Sequence, residues 1–189
     1  MTRKYPAITF TDSVKRTQER YGTRALGERL ESMAMDDEHL SQGELEFIAA
    51  RDSFYMATVG EGGWPYVQHR GGPAGFVRSI DSSTLAYADY SGNRQFISVG
   101  NLAADERVSL FFMDYPARRR LKLLARAEVL EATDRPDLLE AVHDPAYAAK
   151  PERIVLLHVV AFDWNCPQHI TPRFTADEWA LLQAQAPPQ

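Results

Sequence analysis

The sequence predicts a mainly β fold of the α+β type, with six or seven antiparallel strands forming a small barrel that has peripheral helices. Short apolar or alternating segments follow one another between residues 53 and 164. The turns between neighbouring segments are too short for parallel crossovers, which need about a dozen residues. The run Gly60, Gly62 and Gly63 does not open a helix, so it is not a dinucleotide fingerprint. A doubly wound fold is therefore not expected.

Length, charge and cysteine content limit the class of protein. A chain of 189 residues is long enough for one domain with a buried core. The net charge of −5 argues against a general nucleic-acid binder, whose affinity comes from Lys and Arg on phosphates. Cys166 is the only cysteine, so no intramolecular disulfide is expected. We see neither a signal-peptide core nor an apolar run of the roughly 20 residues that span a membrane, and we expect a cytoplasmic protein.

The first 40 residues differ in character from the rest. They are polar and charged, and their helical stretch SVKRTQERYGTRALGERLESM has a poor apolar face. We expect a helical arm over residues 1–40 that wraps over the main domain or over a partner subunit. The barrel domain is expected over residues 41–189. It begins with a helix, because Ser41 and Glu44 form a capping-box pattern.

The segments after this helix have the patterns of strands. SFYMATV and PYVQHR flank the turn GEGGWP and predict a hairpin. In RRLKLLARAEVLEA the apolar residues alternate with Lys122, Arg126 and Glu128, as in a half-buried strand; these apolar residues are Leu121, Leu123, Ala125, Ala127 and Val129. Short helices are predicted in RPDLLEAVH and, capped by Thr175, in TADEWALLQA. Further strands are predicted in GGPAGFVRSI, TLAYADY, RVSLFFMD, RRLKLLARAEVLEA and RIVLLHVVAFDW.

The stretch YSGNRQFISVG combines the features of a phosphate-binding site. Gly92 lets the backbone turn tightly and approach a ligand closely. Asn93 is placed to cap the helix that we expect to follow, and the free N–H groups and dipole of that first turn favour an anion. Arg94 supplies a charged fork of donors that fits phosphate oxygens. The alternative is an ordinary capped helix with a solvated arginine.

The strand PYVQHR carries three polar or basic side chains in succession. Alternation sends His69 to one face and Gln68 and Arg70 to the other. Gly71 and Gly72 then leave the backbone open, which suits a flat ligand. An edge strand with a polar outer face is the alternative. Together this strand and the GNRQ stretch indicate a planar, phosphorylated ligand, because each supplies a part that such a ligand needs.

A third candidate stretch, FDWNCPQHITPRF, lies near the C-terminus. Trp164 offers a stacking surface, and Asn165, Gln168 and His169 offer hydrogen bonds. Cys166 and His169 are spaced like half a metal site, but no further Cys or closely spaced His pair completes it, and we predict no metal. No nearby group would orient them as a catalytic pair. A structured loop fixed by prolines is the alternative.

In this order, these stretches resemble the pyridoxamine 5'-phosphate oxidase-like family of FMN-binding split β-barrels. The resemblance spans Phe47 to Arg173, and its anchors are SFYMATVGEGGWPYVQHRGG, TLAYADYSGNRQ, NLAADERVSLFFMD and RRLKLLARAEVL. The ending WNCPQHI resembles a bacterial branch described as predicted flavin-nucleotide-binding proteins. The resemblance implies an FMN-binding split β-barrel over residues 41–189. It also implies a homodimer with FMN in two clefts at the subunit interface.

The resemblance further implies which positions contact FMN. The family uses one polar strand for the ring and phosphate, one short segment for the ring, and a Ser-Arg-Lys motif for the phosphate. The oxidases also use a Gln from the neighbouring subunit, and its position in the family pattern corresponds roughly to Arg120. Their Trp near the C-terminal strand corresponds to Trp164. With Gln168 from the third stretch, the predicted cofactor-binding residues are Gln68, His69, Arg70, Ala88, Asp89, Asn93, Arg94, Gln95, Arg120, Trp164 and Gln168.

Two departures from the family pattern affect the predicted site. Gln95 stands where the phosphate-binding motif has Lys, so one positive charge is missing, and Arg70 is the candidate replacement. Where the oxidases end in an Arg-x-His-x-Arg pattern, this chain has CPQHITPR with different spacing. This difference argues against vitamin B6 phosphate as the substrate.

The leading functional hypothesis is an FMN-dependent oxidoreductase with an unknown small-molecule substrate. His69 and His169 are the best candidates for acid–base chemistry, because imidazole titrates near neutral pH. A non-enzymatic flavin-nucleotide carrier or sensor needs the same phosphate-binding site, so the sequence does not distinguish such a protein from an enzyme. A haem-binding split barrel with His69 or His169 as ligand is the third hypothesis.

Overall fold

The computed structural model describes residues 3–33, 35–164 and 166–185, and within them the chain forms seven strands and seven helices. The strands are β1 (Ser53–Val59), β2 (Pro65–Gly71), β3 (Arg78–Ser79), β4 (Thr84–Tyr90), β5 (Arg107–Asp114), β6 (Arg119–Glu131) and β7 (Pro151–Trp164). The helices are α1 (Lys4–Thr9), α2 (Asp12–Arg20), α3 (Arg24–Ser32), α4 (Gln42–Ala49), α5 (Ile97–Ala104), α6 (Pro136–Val142) and α7 (Ala176–Gln185).

The strands form one antiparallel sheet in the order β2-β1-β5-β6-β7-β4-β3. The predicted mainly β fold of six or seven antiparallel strands with peripheral helices is confirmed, and the number of strands is seven. The sheet curls around a single main core, so that rings from distant strands meet inside it. Phe54 on β1 stacks on Phe112 of β5 at a centroid distance of 4.9 Å, and meets Tyr87 of β4 edge-on at 5.4 Å.

The long strand β6 has one buried face and one more exposed face. Leu121, Leu123, Ala125 and Ala127 are buried in the main core, as their alternation with charged residues predicts. Successive side chains of a strand point to opposite faces, so this pattern fixes which face of β6 lines the barrel.

One predicted strand is almost absent. Residues 71–80 were expected to form a full strand, but β3 has only two residues. The Phe76 N–H donates to the Pro73 carbonyl at 2.9 Å, and Gly75 has a φ of +78°. This turn leads the chain away from β2, so the two-residue β3 pairs only with β4 at the other edge of the sheet.

Two of the three helix starts predicted from caps are found, at Ser41 and Thr175. At α4, Ser41 and Glu44 form the capping box, with each side chain bonding the backbone of the other residue. At α7, the Thr175 hydroxyl accepts a hydrogen bond from the Glu178 N–H at 3.2 Å. The short helix expected in residues 135–143 is α6, which begins at Pro136.

The N-terminal arm is fastened to the barrel by buried charge. The Arg3 guanidinium donates to Asp163 on β7 at 2.8 Å and lies 3.7 Å from Asp37, and its side chain is only 6% exposed. Asp37 also accepts the backbone N–H groups of Lys4 and Tyr5, which begin α1. The arm therefore packs on its own barrel through α1, which is one of the two arrangements that the sequence left open.

Candidate functional site

A cavity of about 240 Å³ lies where β2, the end of β4 and the segment leading into α5 come together. Its wall combines both sequence stretches that were predicted to bind a phosphorylated ligand. The lining residues are Tyr66, Gln68, Arg70, Asp89, Tyr90, Gly92, Asn93, Arg94, Gln95, Phe96, Ile97, Ser98, Val99 and Arg153.

The two predicted stretches touch within one chain. The Ser98 hydroxyl at the start of α5 donates to the side-chain oxygen of Gln68 on β2 at 2.7 Å. Strand alternation turns Gln68 and Arg70 into the cavity wall, while His69 projects from the opposite, more exposed face. There the His69 ring meets Tyr55 edge-on at 5.6 Å.

The helix behind the cavity starts later than predicted. Asn93 was expected to cap it, but α5 begins at Ile97, and the Asn93 side chain instead accepts a hydrogen bond from the Gln95 N–H at 3.2 Å. Arg94 and Phe96 have φ values of +60° and +53°, so the backbone turns twice before it becomes helical. The first N–H groups of a helix have no intrahelical partners, and here they belong to residues that line the cavity.

The floor of the cavity is a charged triad. The Asp89 carboxylate, whose side chain is 6% exposed, accepts from the Arg70 Nη1 at 2.6 Å and from the Arg153 Nε at 2.9 Å. Arg153 also pairs with Glu152 at 3.1 Å, and Arg94 lies 3.7 Å from the same Glu152 carboxylate. Three guanidinium groups thus face two carboxylates, which leaves the site with a net positive charge.

The arginines of this triad have hydrogen-bonding capacity left over. A guanidinium carries five N–H donors. Among the described residues, Arg70 donates only to Asp89, and its Nε is buried without a partner. Arg153 uses its Nε and Nη2, and no described residue accepts from its Nη1. An anion with several oxygens is the kind of ligand that would satisfy these donors.

Burial and neighbouring charge also shift pKa values here. Burial works to lower the pKa of Arg153, but the hydrogen bond and charge of Asp89 outweigh it and raise that pKa. Burial raises the pKa of Tyr90 and outweighs a hydrogen bond with the Asp144 backbone, which lowers it. Arg153 is therefore a permanent cation, and Tyr90 stays neutral over the physiological pH range.

A second cavity of about 160 Å³ adjoins the first. The two share Arg70, Asp89 and Tyr90, so the Arg70–Asp89 pair lies between them. His69 and Ala88, both predicted to contact a cofactor, line this second cavity. An elongated ligand that occupied both cavities would pass along this ion pair.

Three predicted site residues lie elsewhere in the chain. Arg120 is on β6 beside the Phe111 ring, at 5.9 Å from its centroid. Trp164 donates its indole N–H to Glu44 at 2.7 Å and meets Phe47 edge-on at 4.7 Å. Gln168 is exposed in a turn near the C-terminus, and Asn165 lies outside the described residues. None of the three predicted residues lines either cavity in a single chain.

Sequence reasoning missed Arg153, Ser98 and the aromatic residues of the first cavity, Tyr66, Tyr90 and Phe96. Arg153 reaches the site because β7 pairs with β4 in a register that places it directly opposite Asp89. Asp89 and Arg153 are more than 60 positions apart in the chain, so their pairing could not be predicted from local sequence patterns. Ser98 did carry a signal, since it is a small polar residue in the first turn of a helix.

Comparison with known proteins agrees with the fold. A family model described as pyridoxamine 5'-phosphate oxidase matches residues 40–163. A Lactobacillus delbrueckii structure, provisionally described as a pyridoxamine 5'-phosphate oxidase, is 22% identical and covers 68% of this chain and 97% of its own, with a TM-score of 0.52. HupZ of Group A Streptococcus is 15% identical and covers 71% and 99%, with a TM-score of 0.50. No curated protein gives a significant match. No helix among the described residues is long and apolar enough to cross a membrane.

Proposed function

This chain belongs to the pyridoxamine 5'-phosphate oxidase family, and we propose that it is a flavoprotein that binds FMN and acts as an FMN-dependent oxidoreductase on an unidentified small molecule. One observation carries the proposal. The strand with Gln68 and Arg70 and the segment with Asn93 and Arg94 line the same cavity, and the guanidinium groups around it have unused donors. The proposal includes a reducing, cytoplasmic setting, which the single cysteine supports.

The residues present fit a phosphate monoester. The cavity has a net positive charge, and the Nε of Arg70 is a buried donor without a described partner. Arg94, with its side chain 74% exposed, is free to turn toward an anion at the mouth. Because the N–H groups at the start of α5 add an oriented dipole, we assign the phosphate to this end of the site.

The second cavity is the proposed place for the flavin ring. FMN would supply the redox chemistry, while the protein supplies binding, orientation and electrostatics. Arg70 holds a positive charge between the two cavities, and Ala88 offers a small side chain against which a flat ring can lie. His69, which lines the same cavity, is the candidate for holding a proton near a substrate.

A homodimer is part of the proposal. The outer face of the β1–β2 hairpin exposes apolar side chains, among them Tyr55 at 39%, Val67 at 60% and Trp64 at 82%. A second copy that covered this face would bury them. Arg120, Trp164 and Gln168, which lie away from both cavities in one chain, would contact flavin only across such an interface. Light scattering on the native chain and on Val67→Asp tests this step, and a monomeric native protein would contradict it.

The absorbance spectrum of the purified protein tests the proposal most directly. We expect a flavin spectrum, either as purified or after addition of FMN, and mass spectrometry should identify FMN after denaturation. Arg94→Glu should weaken FMN binding by at least about tenfold, because it reverses a charge at the phosphate end. Arg107→Glu is the matched control, since Arg107 is 75% exposed and lies outside the cavity. Protein that stays colourless with added FMN, or that shows a haem band instead, would refute the proposal.

A non-enzymatic flavin-nucleotide carrier or sensor is the second candidate, and one observation favours it. Among the described residues lining the main cavity there is no His, Cys, Lys or Glu, and the Asp89 carboxylate is held by two arginines. The cavity is thus better equipped for binding than for proton transfer. Steady-state oxidation of NAD(P)H with an electron acceptor would favour the enzyme, whereas tight FMN binding without turnover would favour the carrier.

A further inference from the structure

We infer that Arg153 on β7 is a phosphate-anchoring residue of the main cavity, and that it makes the site selective for phosphorylated over unphosphorylated flavin. The inference rests on the proposed function and deepens it. It places one cationic wall of the phosphate site on β7, the strand beside β4, in addition to the segment that precedes α5.

The position of Arg153 is fixed from three sides. Its backbone is paired opposite Asp89 in the β4–β7 ladder, and its Nε donates to the Asp89 carboxylate at 2.9 Å. Its guanidinium carbon lies 5.1 Å from the centroid of the Phe96 ring, which immediately precedes α5. With its side chain only 12% exposed, Arg153 therefore has little freedom to turn away from the cavity.

One edge of this fixed guanidinium is available to a ligand. Nε and Nη2 are used by Asp89 and Glu152, and no described residue accepts a hydrogen bond from Nη1. Arg153 is itself part of the cavity wall. A preorganised cation with unused N–H groups binds an oxyanion at small entropic cost, because the side chain is ordered before the ligand arrives.

Charge balance gives Arg153 a share in the attraction. Three guanidinium groups, of Arg70, Arg94 and Arg153, face the carboxylates of Asp89 and Glu152, so the group has a formal charge of +1. Arg153 is the one of the three that contacts both carboxylates, which places it at the centre of this group. Replacing Arg153 by a neutral residue would bring the sum to zero, so a phosphate would lose its net attraction while an uncharged ribityl chain would not.

The test compares FMN with riboflavin, which lacks the phosphate. Dissociation constants for both are measured by flavin fluorescence on native protein, Arg153→Gln, Arg153→Lys and the control Arg107→Gln. We expect the preference for FMN over riboflavin to fall at least about tenfold in Arg153→Gln, to be partly kept in Arg153→Lys, and to be unchanged in the control. Loss of structure alone would weaken both ligands together, and circular dichroism checks the fold.

An unchanged FMN-to-riboflavin preference in Arg153→Gln would overturn the inference while leaving the proposed function intact. Titration with inorganic phosphate, followed by amide NMR shifts of Gly92 and Ser98, tests the anchor independently of flavin. We expect saturable shifts in the native chain that are lost in Arg153→Gln. A native chain that binds phosphate but not FMN would refute the proposed function and the flavin selectivity, while the role of Arg153 as a phosphate anchor would stand. A chain that binds neither would refute the function and the anchor together.

Discussion

Arg70 on β2 and Asp89 on β4 form an ion pair with a 2.6 Å Nη1–Oδ1 distance, although their strands are first and sixth in the seven-stranded sheet. No backbone ladder joins these two strands among the described residues. The pair bridges the seam of the curled sheet and lies between the two cavities of the candidate site. The same contact therefore serves both the closure of the barrel and the shape of the site.

Asp89→Asn should destabilise the fold strongly. The substitution removes the charge shared by Arg70 and Arg153. It leaves the largely buried Arg70 without a counterion and Arg153 with Glu152 alone. Breaking a buried pair in this way typically costs about 3–5 kcal/mol. Urea denaturation measures the change in the free energy of unfolding. Asp137→Asn, which removes an exposed partner of Arg135, is the control and should leave the midpoint unchanged. Equal midpoints for both variants would show that the seam does not depend on this charge.

Arg3→Met should loosen the N-terminal arm. Arg3 connects α1 to Asp163 of β7 through a buried contact, so its loss should cost up to about 3–5 kcal/mol and expose the arm to protease. Lys4→Met removes only an exposed pair with Glu38 and should change stability by less than about 1 kcal/mol. Limited trypsin digestion, read by mass spectrometry, compares cleavage within residues 5–32, where both variants keep the same Lys and Arg residues. The same cleavage rate in both variants would contradict the role of Arg3 in holding α1 against the barrel.

Gly72→Ala should strain the connection after β2. A Cβ at this position would lie 2.7 Å from Cγ and 2.8 Å from Cβ of Phe76, which is buried in the main core. Overpacking of this kind costs about 1–3 kcal/mol. Gly62→Ala is a matched control, because its Cβ would meet nothing within 4 Å. Thermal unfolding measures the melting temperatures of both variants. A Gly72→Ala melting temperature equal to that of the control would refute the predicted strain.

Glu44 should contribute a pH-dependent part of stability. Burial raises the pKa of this carboxyl, but hydrogen bonds from Ser41, Trp164 and the backbone outweigh burial and lower it below its ordinary 4.5. A lowered folded-state pKa means that the stabilisation is complete above the unfolded value and is lost as the pH falls through the folded value. The Trp164 indole, which donates to Glu44, is the reporter for this change.

In Glu44→Gln, the loss of stability that the native chain shows as the pH falls below 4.5 should shrink. The size of the effect should be modest, since solvent screens a partly exposed carboxylate. Denaturation at several pH values, followed by tryptophan fluorescence, measures it. Parallel pH profiles for the native chain and the variant would show that the Glu44–Trp164 bond has no ionic component.

Local patterns predicted most of the elements. Leu121, Leu123 and Ala125 occupy every second position of β6 and face the core as predicted, because a strand has a period of two whatever it pairs with. The Ser41–Glu44 box marks the start of α4, since capping involves only neighbouring backbone groups. Residues 71–80 were predicted wrongly as a full strand, because the turn after Pro73 overrides their apolar character.

The candidate site was predicted only in part. Gln68, Arg70 and Arg94 were named from residue type and order, and they line one cavity. Asn93 lies in that cavity too, but not as the cap of α5. Arg153 was not predicted, because nothing in its own neighbourhood distinguishes it from a strand residue facing water. Whether Arg120, Trp164 and Gln168 ever reach the ligand remains a prediction about the assembled protein.

Local sequence patterns account for the strand pattern, the caps at Ser41 and Thr175 and the collection of basic and amide side chains that suit a phosphate. These depend on interactions between residues a few positions apart. By contrast, the meeting of Arg70 and Arg153 at one carboxylate, with the loop before α5 facing them, follows from the folded arrangement of the strands. Those contacts depend on the curl of the sheet and on the register of β4 with β7, which are set by packing of the whole core rather than by any local pattern.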